Sequence, residues 1–120
     1  MKKIFALVTL FLLFSVIVAL AGDRVQYSAT STGNALIVSG TADFHGITIT
    51  GDGTNAVTVD IYNGLTSAGA KIAPSLAFVQ SQTNKTQTYG VNPPVNCNTG
   101  IYIAVATAGT VSYTVYYNRY

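Results

Sequence analysis

The chain has 120 residues, 49% of them hydrophobic and only 8% charged, with eleven glycines, eight tyrosines, one cysteine, one histidine and no tryptophan. Its formal charge is +2, but Lys2 and Lys3 open an apolar N-terminal stretch; beyond them four bases face four aspartates, and there is no glutamate. Such a chain has no long-range field to draw in nucleic acid or an anionic surface, and a single cysteine excludes an internal disulfide framework.

The first stretch has three parts. Lys2 and Lys3 are basic, Ile4 to Ala21 is apolar apart from Thr9 and Ser15, and Ala19-Leu20-Ala21 is a small-x-small site. That is the pattern of a signal peptide. The alternative is a retained apolar helix that anchors in a membrane. The expected division is residues 1–21 as leader or helix and residues 22–120 as one domain, exported to the periplasm, the medium or the cell surface. Membrane contact is expected only if residues 1–21 are retained.

Beyond the leader the chain reads as short strands. Val25 to Ser31 is a first strand, Thr32-Gly33-Asn34 a turn, and Ala35 to Gly40 a second strand. Phe44 to Thr50 is a third, with Gly46 as a bulge or close-approach point. Gly51-Asp52-Gly53-Thr54-Asn55 then breaks an alternation that Val57, Val59 and Ile61 resume. Alternation on both sides of an Asp-Gly loop predicts a β-hairpin. Asn63-Gly64 ends that strand, and Leu65 to Ala70 loops back to Lys71-Ile72-Ala73. A short strand follows from Leu76 to Gln80, and Pro74 places the Lys71 to Gln80 segment at a sheet edge or interrupts it. Gln87 to Val91 is a weak strand. The prolines in Asn92-Pro93-Pro94-Val95-Asn96 predict an extended connection outside any ladder. Gly100 to Ala106 and Val111 to Tyr117, joined through Ala108-Gly109, read as a closing hairpin. About eight short strands with Gly and Asn turns predict an all-β fold. The expected form is a small antiparallel β-sandwich or jelly-roll-like domain preceded by an apolar N-terminal helix, with a small closed barrel as the second choice.

Little chemistry can be assembled from these residues. His45 is the lone histidine, and Asp43 lies two residues before it, on the same strand face. The pair is a candidate interface or ligand contact. Asp52 sits in a turn that needs Asp and Gly for its backbone angles, and it lacks the spaced oxygens and terminal Glu of a calcium loop. No catalytic, cofactor-binding or metal residues are expected, and no enzyme. Cys97 reads as a buried thiol or as an intermolecular bridge. The tyrosines are the most informative side chains: Tyr62, Tyr102 and Tyr116 lie on the strand faces opposite the Ile and Val. Tyrosines there suit protein contacts, and an exposed row of the three would also stack on sugar rings. The expected partners are therefore a second copy or an assembly partner, or else a glycan; nucleic acid is not expected.

Four stretches, Ile47 to Asn55, Val57 to Gly64, Gly69 to Ala73 and Gly100 to Val105, together with Pro93-Pro94, carry a family likeness. In this pattern an Ile/Val-Thr strand leads to an Asp-Gly loop and a strand ending in Tyr-Asn-Gly. A Gly-x-Lys-Ile return and a Gly-Ile-Tyr strand behind a proline-bearing loop complete it. It resembles small β-sandwich proteins of tailed bacteriophages and prophages that are associated with virion heads, fibres or tails. The resemblance implies a decoration or fibre-like structural subunit, often oligomeric, with no cofactor and a place on the virion. The leader departs from that picture, because virion proteins are generally assembled in the host cytoplasm.

Overall fold

The computed structural model describes residues 25–28, 30–78 and 84–120, so the leader or apolar helix read at 1–21 lies outside the described residues. Among the described residues nine strands follow one another: β1 (Gln26–Tyr27), β2 (Ala35–Ser39), β3 (Ala42–Gly51), β4 (Val57–Asn63), β5 (Ala70–Lys71), β6 (Leu76–Phe78), β7 (Thr86–Cys97), β8 (Gly100–Thr107) and β9 (Val111–Arg119). They form two antiparallel sheets. The first has the order β1-β9-β3-β7 and the second β2-β8-β4-β5, with β6 also paired to β4. The result is an open sandwich and not a closed barrel.

The core lies between the sheets and follows from the period of two. Phe44, Ile47 and Ile49 of β3 and Val111, Tyr113 and Val115 of β9 point inward from the first sheet. Val57, Val59 and Ile61 of β4 and Ile101 and Ile103 of β8 meet them from the second. Each such buried aliphatic side chain stabilises the fold by about 1.5–3 kcal/mol relative to exposure. Tyr113 is 1% exposed, and its hydroxyl donates to the Gly33 carbonyl at 2.5 Å. That bond gives the one polar atom of this large core side chain its partner and ties β9 to the turn between β1 and β2.

Neither expected hairpin is one. β3 lies in the first sheet and β4 in the second, and β8 and β9 are divided in the same way. Both tight turns carry the chain across the core to the opposite sheet. The alternation is genuine in all four strands, but alternation states only that one face is buried. It does not distinguish a neighbour in the same sheet from one facing it. The turn from Asp52 to Ala56 keeps its expected chemistry: Gly53 has φ +84°, a left-handed conformation suited to glycine. Asp52 accepts the Thr54 and Asn55 N–H groups at 2.8 and 2.9 Å.

β3 begins at Ala42, so the stretch from Ala42 to His45 is part of the strand and not a lead-in. The strand also breaks its own alternation. Ala42 and Phe44 are inward at even positions, Ile47 and Ile49 at odd ones. The ladder to β9 pairs Phe44 with Tyr117 and Gly46 with Tyr116, leaving His45 as the extra, bulged residue. A Cβ at Gly46 would lie 2.5 Å from the Tyr89 carbonyl oxygen, so only glycine fits this crossing.

The prolines do not end the ladder. β7 pairs with β3 at Gly90 opposite Gly46, and again at Val95 opposite Phe44, so Val91 to Pro94 bow out between the two contacts. This is tolerated because β7 is an edge strand, where a missing N–H and a bulge disturb no second neighbour. Pro74 acts as expected. β5 and β6 both pair with β4, at its two ends, and Pro74 lies between these halves of one interrupted edge strand.

Candidate interaction faces

The outward face of the second sheet carries a row across its strands. Leu36 of β2 is paired with Tyr102 of β8, Tyr102 with Tyr62 of β4, and Tyr62 with Lys71 of β5. Leu36 is 45% exposed, and the two tyrosines are half-buried. Their ring centroids are 6.5 Å apart with the planes tilted by 56°, and the Lys71 ammonium stands 5.8 Å from the Tyr62 centroid. Lys71 also donates to Asp60 Oδ1 at 2.9 Å and to Ser75 Oγ at 3.1 Å. Side-chain hydrogen bonds to Asp60 from Ser75 first, and then from Lys71, hold its carboxyl below the usual range, while Asp60 raises the Lys71 ammonium. The row thus has an apolar end, an aromatic middle and a fixed cation.

Tyr116 does not join it. It lies on β9, in the first sheet, where its hydroxyl is 3.3 Å from Thr48 Oγ1. A single row of Tyr62, Tyr102 and Tyr116 is therefore not formed; parity along each strand was correct, but the strands belong to opposite sheets.

The outward face of the first sheet is a field of hydroxyls. Thr86, Thr50 and Ser112 stand in one cross-strand register, and Thr88, Thr48 and Thr114 in the next. The Oγ1 atoms of Thr50 and Thr86 are 2.8 Å apart, those of Thr48 and Thr88 3.0 Å, and those of Thr30 and Thr114 3.4 Å. Cross-strand threonine pairs of this kind add stability to a sheet.

Asp43 and His45 occupy the far end of the same sheet. Asn96 donates to Asp43 Oδ1 at 2.9 Å, and the Tyr120 hydroxyl donates to Oδ2. These two bonds, that of Tyr120 first, hold the Asp43 carboxyl below its usual range. Asp43 is thus committed to Asn96 and Tyr120 and does not orient the imidazole. His45, displaced by the bulge, has a buried Nε2 without a hydrogen-bond partner, and the buried Asn118 Oδ1 has none either. Among the described residues no three His, Cys, Asp or Glu side chains group as metal ligands.

Cys97 is fully buried, and burial pushes its thiol up to about 11. It cannot bridge to a second copy without local unfolding.

The sequence reading missed Leu36, Lys71 and the threonine field. The Ile-Thr-Ile-Thr run from Ile47 to Thr50 and the Thr-Gln-Thr run from Thr86 to Thr88 were the available signals, legible as facing rows only once β3 and β7 are known to pair. No protein-family model matches the chain, and no curated protein or solved structure does so either.

Proposed function

We propose that the chain is a non-enzymatic structural subunit, exported to a surface or built into a virion-like particle, that works by associating with copies of itself. The observation that carries this reading is the strand order. β1-β9-β3-β7 facing β2-β8-β4-β5, with successive strands repeatedly changing sheets, is the pattern of a jelly roll with its fifth strand broken into β5 and β6. Capsid subunits and lectin-type modules share that architecture, and the resemblance to phage head and fibre proteins points the same way. The faces also suit contact more than chemistry: tyrosine, threonine, leucine and alanine dominate them, and Lys71 and Asp60 are paired with each other.

The row of Leu36, Tyr102, Tyr62 and Lys71 favours a second reading, a glycan-binding module. The 56° tilt between the rings and the lysine over Tyr62 give a stepped surface and not a flat platform for a sugar ring. That geometry favours a protein contact over a sugar for the row. Light scattering on residues 22–120 separates the two readings: particles larger than one chain are expected, whereas a strict monomer that retains a glycan column would replace the assembly reading with the second. Intact mass of the native protein tests export, with loss of residues 1–21 the expected result.

A further inference from the structure

β7 closes one side of the first sheet, and among the described residues no strand lies beyond it. Its hydrogen-bonding direction can be worked out residue by residue. The Gly51 N–H donates to the Lys85 carbonyl at 3.0 Å. Bonded and non-bonded pairs alternate along an antiparallel ladder, so Ile49 with Gln87 and Ile47 with Tyr89 are the next bonded pairs. The peptide groups of Thr86, Thr88 and Gly90 therefore point away from β3. The side chains agree: Thr50 with Thr86 and Thr48 with Thr88 are the closely spaced, non-bonded pairs, with hydroxyls 2.8 and 3.0 Å apart. Five residues, Thr86 to Gly90, thus offer three N–H and three C=O groups at an open edge. Lys85 bounds the stretch on one side and the bowed-out Pro93 and Pro94 on the other. Residues of that kind normally keep sheet edges from pairing; here they stand at the two ends and leave the middle open.

Resting on the assembly reading above, we propose that this edge is a two-fold interface: Thr86–Gly90 pairs antiparallel with the same segment of a second copy, centred on Thr88, and the two first sheets become one. This register is the one that uses every outward group, since Thr86 then faces Gly90 of the other copy and Thr88 faces its counterpart. Two further features fit a second copy in that place. On the outer face, the hydroxyl row Thr114-Thr48-Thr88 ends at the edge and continues into its own mirror sequence. On the inner face, Ile49, Leu76, Phe78, Gln87 and Tyr89 line an apolar-sided cleft of about 260 Å³ beside β7. Pairing centred on Thr88 sets the incoming Tyr89 next to Gln87, above that cleft, so the added strand covers the half-exposed Leu76 and Phe78. A self-complementary patch of this kind is what a closed two-fold dimer requires.

The test uses the purified full chain. Thr88→Cys places two thiols across the axis, where paired strands bring Cα atoms about 5.5 Å apart, within disulfide reach. Mild oxidation is expected to convert most of it to a covalent dimer, while Ser67→Cys, in an exposed loop of the other sheet, stays monomeric on a denaturing gel. Thr88→Pro removes the outward N–H and the hydroxyl contact to Thr48 but no backbone bond to β3, and Thr88→Lys sets two charges face to face; each is expected to raise the dimer dissociation constant at least about tenfold, roughly 1.4 kcal/mol. The lysine variant keeps the ladder to β3, so it remains informative if the proline variant fails to fold. A wild-type chain that assembles while T88C does not cross-link and T88K changes nothing overturns this interface and leaves the assembly reading standing. A chain that is monomeric at every concentration overturns both.

Discussion

Asp52 shows how one carboxylate can hold two distant turns. Its Oδ1 accepts the Thr54 and Asn55 N–H groups, and its Oδ2 accepts the Asn55 amide at 2.7 Å and the Thr110 N–H at 3.3 Å. The β3–β4 crossing is thereby tied to the β8–β9 crossing. Gly109 leaves the room: a Cβ there would sit 1.7 Å from Asp52 Oδ2. The backbone and side-chain donors of Asn55, then the N–H of Thr54, lower the Asp52 pKa far below the ordinary 3.8. The folded-state value is depressed, so the resulting stability is present in full above about pH 4, where an unfolded aspartate is ionised. It is lost as the pH falls toward the folded-state value. Thermal melts of Asp52→Asn at pH 7 are expected to show a lower Tm than wild type, with the gap narrowing below pH 3. Gly46→Ala is expected to cost about 1–3 kcal/mol in urea unfolding, the usual penalty for forcing an atom into a closed contact. Cys97 should remain unreactive to a thiol reagent until denaturant is added.

At the scale of elements, the face of each strand was legible and its neighbours were not. The inward set Val57, Val59, Ile61 and the outward set Thr58, Asp60, Tyr62 follow from polarity alone. So does the close approach at Gly46, because a residue without a Cβ in an otherwise β-branched run leaves room for a neighbouring backbone. Pairing was hidden because β3 and β4 satisfy the same alternation whether they lie side by side or face to face. The Pro93-Pro94 stretch misled for a related reason: proline forbids a central strand, and only the sheet order reveals that β7 is an edge. Of the candidate contacts, Tyr62 and Tyr102 come together because β4 and β8 are neighbours, and Tyr116 is separated because β9 crosses to the other sheet. This separation gives its own prediction. Tyr62→Ala combined with Tyr102→Ala should weaken assembly measured by light scattering if the second sheet makes contacts, independently of Thr88 substitutions on the first. Equal assembly in the double variant would confine association to the first sheet.

For the whole molecule, the strand order fixes when folding can occur. β8 lies between β2 and β4, and β9 between β1 and β3. The two strands latest in sequence among the described residues are therefore interior members, one in each sheet. No neighbouring pair in the first sheet is close in sequence, so no local hairpin can nucleate that sheet, and loop closure precedes nearly every contact there. Topologies dominated by such distant pairings fold slowly, on the scale of milliseconds to seconds. A chain truncated after Thr107 lacks β9 and with it the buried Val111, Tyr113 and Val115; it is expected to show no cooperative unfolding transition by circular dichroism. Neither sheet is complete until its own late strand, β8 or β9, has been synthesised. Each sheet is thus locked by a late strand inserted between two earlier ones, so the two halves of the sandwich close together and not one after the other.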